Sequence, residues 1–235
     1  MYVDVFLLAG NKAKLPGVWE LIKGVIKLGA QGPLSHYLGC THHTKPSPVA
    51  EDPHRVEVAF DMSGYLTQSV EAFREQADYR RPFLQAPTPY VQEEKDNSLD
   101  LPGSYASVAQ SVLPKLLYAA RLARPDLLLA INLLSRNLTK WTSFHDRGLI
   151  RLVSYVDQSR SKLLRGYIGS GKSELRLYCD AGFAGCLDTA RSTSGLWLVL
   201  KGDNWEFPLE WGSKRQSCVA HSTPEPDQLL VPARL

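Results

Sequence analysis

The spacing of apolar residues changes along this chain, and each change predicts a different kind of element. Tyr2 to Leu8 is a run of β-formers closed by Ala9-Gly10-Asn11-Lys12, which predicts a buried strand followed by a loop. From Leu15 to Leu28, Val18, Leu21, Ile22, Val25 and Ile26 recur at helical spacing until Gly32-Pro33 breaks the helix. Tyr37 to Cys40 predicts a short strand, and the alternation from Val56 to Phe60 predicts another. Ser63 then offers a cap for a helix that turns Leu66, Val70 and Phe73 inward.

Pro82, Pro87, Pro89 and Pro102, with the acidic stretch Glu93-Glu94-Lys95-Asp96 among them, mark a linker. Beyond it, Tyr105 to Ala123, Pro125 to Leu138 and Trp141 to Val156 read as three helices. Pro125 suits a first-turn position, whereas Pro114 lies within its helical pattern and is expected to kink or divide it. From Glu174 the period becomes two. Glu174 to Phe183, Ser194 to Leu200 and Phe207 to Lys214 predict an antiparallel meander, and a short helix is signalled after Ser222 or Thr223.

With 44% apolar and 22% charged residues in 235, the composition is that of a globular chain with one large core or two small ones. Lys and Arg exceed Asp and Glu by 27 to 24, so a cationic surface has to be sought locally. Cys40, Cys179, Cys186 and Cys218 form no CxxC pair and suit reduced thiols of a cytoplasmic or nuclear, intracellular protein. No window approaches the ~20 apolar residues of a membrane span, so no membrane partner is expected. The chain opens inside a strand pattern and closes where a helix pattern begins, so both ends read as cut.

Three groups of residues bear on chemistry. Tyr2-Val3-Asp4-Val5 resembles the tight hairpin on which polymerases hold paired aspartates for two magnesium ions. Tyr105-Ala106-Ser107, then Arg124-Pro125-Asp126 and Asn132-Leu133-Leu134-Ser135-Arg136, form the second group. The third runs Leu177-Tyr178-Cys179-Asp180-Ala181-Gly182-Phe183-Ala184-Gly185, Arg191-Ser192-Thr193-Ser194-Gly195, Trp211-Gly212-Ser213-Lys214-Arg215-Gln216 and Ser222-Thr223-Pro224-Glu225-Pro226-Asp227. In this order, and with Tyr37-Leu38-Gly39 upstream, the chain resembles the Pol polyprotein of copia-type LTR retrotransposons. The match spans the C-terminal part of reverse transcriptase and the N-terminal part of ribonuclease H, and is thin between residues 42 and 100.

The resemblance implies an α+β / α/β fold with a partial reverse-transcriptase palm in 1–85, a linker in 86–103 and a helical connection in 104–170. An incomplete ribonuclease H-like mixed sheet, beginning with a three-stranded meander, would fill 171–235. It also implies the chemistry of RNA-directed DNA synthesis and RNA/DNA hybrid cleavage, with Mg2+ as cofactor and an RNA/DNA hybrid or other nucleic acid as partner. Asp180 matches the first ribonuclease H carboxylate, Asp227 falls where the family has a catalytic Glu, and Asp4 is the surviving polymerase aspartate. Departures count against activity. Val5 replaces the second hairpin aspartate, Asp227 is one methylene short, and Pro224 and Pro226 disturb its helix start. The expected state is therefore a degenerate fragment. A truncated piece of an active polyprotein, or a domesticated non-catalytic binding module, are the alternatives.

Among the cations, Arg147, Arg151, Arg160, Lys162, Arg165 and Lys172 surround the last helix, whereas Arg191, Lys214 and Arg215 lie near the meander turns. Either set suits phosphate contact or a solvated face. His42-His43 reads as part of a polar, Thr-rich turn without a zinc partner, Cys179 as a small packing residue, and Trp197, Trp205 and Trp211 as meander packing.

Overall fold

The computed structural model of the protein describes residues 6–30, 32–91, 101–182 and 191–217. Its first sheet is four-stranded and antiparallel, in the order β1-β2-β3-β4. β1 (His36–Tyr37) turns into β2 (Cys40–Pro46) through Leu38 and Gly39, both at positive φ (51° and 79°). This is the backbone a two-residue hairpin needs, and glycine accepts it without strain. The strand expected at Tyr37 to Cys40 is thus a hairpin turn. His42 and His43, expected on a polar turn, stand on β2 opposite Phe60 and Ala59 of β3 (Val56–Asp61).

β4 (Leu164–Ile168) completes this sheet by pairing with β3, Phe60 facing Leu164 and Val56 facing Ile168. Its alternation, Leu164-Arg165-Gly166-Tyr167-Ile168, is interrupted by Gly166, which hid the strand in the sequence. A Cβ there would meet Phe207 and Pro208 at 2.6 Å, so close approach of another element requires the glycine. The strand predicted from Tyr2 does not extend over the described residues 6–9, where Phe6 and Leu7 stand exposed. A strand needs a hydrogen-bonding neighbour, and none of the described strands pairs with these residues. Tyr2 to Val5 lie outside the described residues.

α1 (Leu15–Lys23) is shorter than its pattern, ends at Gly24, and buries none of its residues. α2 (Ser63–Gln76) buries Leu66, Val70 and Phe73 as predicted, although Asp61 Oδ1 rather than Ser63 supplies the cap, accepting from the Ser63 amide at 2.8 Å. α3 (Ala106–Leu122) runs through Pro114 undivided. Pro114 and Gln110, whose carbonyl the proline cannot bond, both lie on the exposed side of the helix. A 3-10 turn at Pro125–Leu127 leads into α4 (Leu128–Ser135), and α5 (Ser143–Ser159) follows. Leu66, Phe73, Leu113, Leu116, Leu149 and Leu152 make the shared core of these helices.

The proline-rich segment is tied down where it is described. Gln158 accepts from the Ala86 amide at 3.1 Å and donates to the Leu84 carbonyl at 2.7 Å, while Arg151 donates to Thr88. The meander is as predicted: β5 (Glu174–Gly182), β6 (Thr193–Lys201) and β7 (Glu206–Arg215) form the second antiparallel sheet. β6 is its central strand, and β7 is the side strand that packs against the rest of the molecule. Trp211 Nε1 donates to the Ala120 carbonyl at 2.8 Å, and Phe207 packs 6.0 Å from Phe60. Among the described strands β5 is the outer edge, exposed along almost its whole length. The described residues therefore form a mixed α+β structure with two antiparallel sheets, an arrangement compatible with a ribonuclease H-like fold.

Candidate functional site

Strand register brings the predicted acid and the predicted cations to one end of the meander. Asp180 pairs with Gly195, which pairs with Ser213, so the three form one row across the sheet. Gly195 offers no side chain beside the carboxylate, and Asp180 is exposed. The next row on the same face is aromatic: Tyr178, Trp197 and Trp211, the two indoles 5.4 Å apart. Gly182 faces Thr193 and Thr193 faces Arg215, while the Gln216 amide donates to the Ser192 carbonyl at 2.9 Å. Arg191, Lys214 and Arg215 consequently share the Asp180 end of the sheet.

A cleft of about 410 Å³ opens there between α4 and β7, lined by Asn132, Ser135, Arg136, Ser213, Lys214 and Arg215. It adjoins a second of about 500 Å³ that adds Arg121, Trp211 and a single acid, Glu210. Asn132 Nδ2 donates to the Ser213 carbonyl at 2.7 Å and stitches helix to strand between them, and Arg136 reaches Thr193 Oγ1 at 3.5 Å. Four cations against one carboxylate make these clefts suited to a polyanion. Arg121 and Arg136 escaped the sequence reading as site residues. Arg136 closes the Asn132-to-Arg136 motif, which was the signal available.

Five of the six cations around the last helix are engaged within the molecule instead. Arg147 lies over the Phe144 ring, Arg151 bonds Thr88, Arg160 and Asp157 are 3.5 Å apart, Lys162 bonds the Tyr155 hydroxyl, and Arg165 reaches Glu57 at 3.5 Å. Their geometry favours local packing over phosphate contact. The Arg124-Pro125-Asp126 motif likewise proves to be internal. Buried Arg124 grips Asp126 with two nitrogens at 2.8 and 2.9 Å and donates to the Ser159 carbonyl and hydroxyl; the Tyr155 hydroxyl donates to Asp126 at 2.9 Å. Burial acts to raise the Asp126 pKa, but the guanidinium and the phenol outweigh it and hold the carboxyl below the usual range.

Asp4, Glu225 and Asp227 lie outside the described residues. Among the described residues, no group of three or more His, Cys, Asp or Glu stands close enough to hold a metal ion, and Asp180 alone supplies one carboxylate where magnesium asks for several oxygen ligands. His43 Nε2 is 3.5 Å from Asp61, and His42 sits edge-on to Phe60 with burial lowering its pKa. Cys179, expected to pack, is exposed because it lies on the outer strand; Cys40 is buried, which pushes its thiol up to about 11. Trp205 and Trp211 pack as expected, Trp205 donating to the Ser170 carbonyl at 3.1 Å.

No family model and no solved structure matches the chain. Among curated proteins it is 33% identical over 106 residues to the putative transposon Ty5-1 protein YCL074W of Saccharomyces cerevisiae, covering 45% of this chain and 33% of that one. It is 30% identical over 143 residues to the retrovirus-related Pol polyprotein from transposon TNT 1-94 of Nicotiana tabacum, covering 61% and 10%. Over 121 residues it is 30% identical to secreted RxLR effector protein 161 of Plasmopara viticola, covering 52% and 82%. The chain thus spans a third or less of the length of these two transposon relatives. No described helix is long and apolar enough to cross a membrane.

Proposed function

Since the chain belongs to the copia-type retrotransposon Pol polyproteins, we propose that it joins the end of a reverse transcriptase to the start of a ribonuclease H. In this reading it retains a surface for an RNA/DNA hybrid but no catalysis of its own. Residues 1–85 would derive from the palm, 104–170 from the connection and 171–235 from ribonuclease H. The observation that carries the reading is the convergence of Arg136, Lys214 and Arg215 in one cleft at the end of the sheet where Asp180 stands.

A backbone of regularly spaced phosphates would lie along Arg121, Arg136, Lys214 and Arg215, with Arg191 beside them. Bound magnesium would polarise the scissile phosphate and its attacking water. Asp180 and Asp227 are the groups left to hold that ion, and Asp4, beside Val5, is what remains of the polymerase pair. Asp227 with its shortened side chain is a poor second ligand, which is why binding without cleavage is the proposed state.

Fluorescence anisotropy with a labelled RNA/DNA hybrid tests binding. Lys214→Glu with Arg215→Glu should weaken affinity for every hybrid sequence and lower the slope of log affinity against log salt by about two. Affinity unchanged by the pair would remove the cleft from the reading. Incubation of the hybrid with magnesium should give no cleavage above an Asp180→Asn control. Cleavage that the control abolishes would instead establish a working ribonuclease H site. One observation favours a second reading, a non-catalytic binding module: the chain covers 82% of a relative named as an effector protein. That reading expects partner binding to survive both the Asp180→Asn and the Lys214/Arg215 substitutions.

A further inference from the structure

Two arginines make the same double contact with a hydroxyl residue. Arg151 of α5 donates from Nε to the Thr88 carbonyl at 3.1 Å and from Nη2 to the Thr88 hydroxyl at 2.9 Å. Arg55 does likewise to Ser47, at 2.8 and 3.3 Å. Each hydroxyl residue is followed by a proline, Pro89 or Pro48. We propose that Thr88 is a phosphorylation site for a proline-directed kinase, and that Arg151 receives the phosphate. A guanidinium already facing the hydroxyl has two donors in one plane, and these match two phosphate oxygens.

The surroundings of the two clamps separate them. Ser47 is half-buried, its amide donates to the Arg55 carbonyl at 2.8 Å in continuation of the β2–β3 pairing, and Glu51 and Asp52 follow closely in the chain. A kinase would have to unzip that hairpin to reach Ser47. Arg55 is also committed to the Asn204 carbonyl at 3.1 Å and to the Tyr167 ring.

Thr88, in contrast, is exposed and lies between Pro87 and Pro89. Neither proline has an amide hydrogen to give to a sheet, and each favours an extended residue before it, the form in which a kinase cleft takes its substrate. Around Thr88 the segment is fastened to α5 by side-chain hydrogen bonds, from Gln158 to Leu84 and Ala86 and from Arg151 to Thr88, so it can lift without breaking a helix or a sheet. Arg147, exposed one turn before Arg151 on α5, adds a second cation on that side.

In the transfer, the γ-phosphorus of a nucleoside triphosphate forms a bond to Thr88 Oγ1 and its bond to the β–γ bridging oxygen breaks. The nucleoside diphosphate leaves, and the hydroxyl proton passes to the kinase's base. The modification ends the Thr88 hydroxyl's 3.3 Å bond to the Tyr90 carbonyl and replaces it with charge-assisted bonds to Arg151. Pro89 and Tyr90 line a pocket with Leu134 of α4 and Phe144 of α5, so a phosphate held at Thr88 fastens the segment across both helices. This inference is independent of nucleic-acid binding.

The test treats the full chain with a purified proline-directed kinase and ATP, and locates the phosphate by mass spectrometry. Transfer to Thr88 is expected, and its loss in Thr88→Val. Phosphorus NMR should then place the second phosphate pKa below the value of about 6 found in a free phosphopeptide of residues 84–91. Arg151→Gln should still be phosphorylated but return the pKa to the peptide's value, and Arg151→Lys should recover part of the depression. Chymotryptic cleavage within residues 83–91 should slow by about threefold or more on phosphorylation, and only while Arg151 is present. Circular dichroism establishes that each variant is folded. No transfer to Thr88 in the chain, or transfer to Ser47 in its place, would overturn the inference. So would a phosphate whose pKa is indifferent to Arg151, or a segment that is cut faster once modified.

Discussion

Arg124 places its guanidinium inside the protein, where Asp126, the Ser159 carbonyl and the Ser159 hydroxyl receive its hydrogens and Tyr155 completes the Asp126 shell. A fork of this kind is specific to arginine, because lysine offers one nitrogen where several acceptors are waiting. Arg124→Ala would strand a partly buried carboxylate and a buried carbonyl, and the expected loss is about 3 kcal/mol of unfolding free energy. Arg124→Lys should recover only a fraction of it. Urea titrations of the three proteins would measure this, and a lysine variant as stable as the parent would show that charge rather than geometry matters. The pH dependence follows from the depressed Asp126 pKa. The group stabilises the fold above the unfolded carboxyl pKa, and that contribution fades as pH falls through the lower folded value. The motif that carries this network was conspicuous in the sequence, yet nothing in three consecutive residues shows that their partners lie some thirty residues further on.

At the scale of an element, α5 begins with a reciprocal cap whose acceptor is an imidazole. His145 stands at N3, where its Nδ1 accepts from the Thr142 amide at 3.0 Å, while the Thr142 side chain accepts from the N3 amide. The contact requires a neutral ring, and burial holds the His145 pKa below 6.5. Unfolded chains therefore take up more protons than folded ones as pH drops below about 6.5, so stability declines over that interval and levels off beneath the folded pKa. His145→Gln keeps an acceptor that does not titrate, and it should flatten the decline seen in thermal melts; His145→Ala should cost about 1 kcal/mol at neutral pH. An unchanged pH profile in the glutamine variant would rule out the imidazole as its source. Elements as such were legible wherever one period governed their packing. α2 and the meander follow their patterns closely. β4 was not read, because Gly166 blanks the middle of its apolar face, and the Tyr37 to Cys40 segment reads as strand although Leu38 and Gly39 take left-handed backbone. Both depend on what another element requires of the chain, and local spacing does not carry that information.

For the molecule as a whole, one carboxylate gathers several of the contacts at the corner between the two sheets. Asp52, in the connection from β2 to β3, accepts from the Ser170 amide at 2.7 Å, the Ser170 hydroxyl at 3.1 Å and the His54 amide at 3.1 Å. Trp205 donates to the Ser170 carbonyl, and Arg55 donates to the Asn204 carbonyl at 3.1 Å, so the turn between β6 and β7 is anchored at the same place. The helical core is a separate cluster, drawn mainly from α2, α3, α4 and α5, and Asp52 is not a member of it. No pattern in the sequence pointed to Asp52, because its acceptors' partners sit 118 positions away. The cationic cleft was half legible for the same reason: Lys214 and Arg215 stood out beside a motif, whereas Arg121 and Arg136 reach the site only because α3 and α4 pack against β7. Asp52→Ala should therefore loosen the meander without melting the helices. Hydrogen exchange in β4 and the meander would accelerate, while exchange in α3 and α5 would stay slow. If exchange instead rose uniformly across the chain, the corner and the helical core would be one cooperative unit, and the cleft would owe its shape to the whole fold rather than to this clamp.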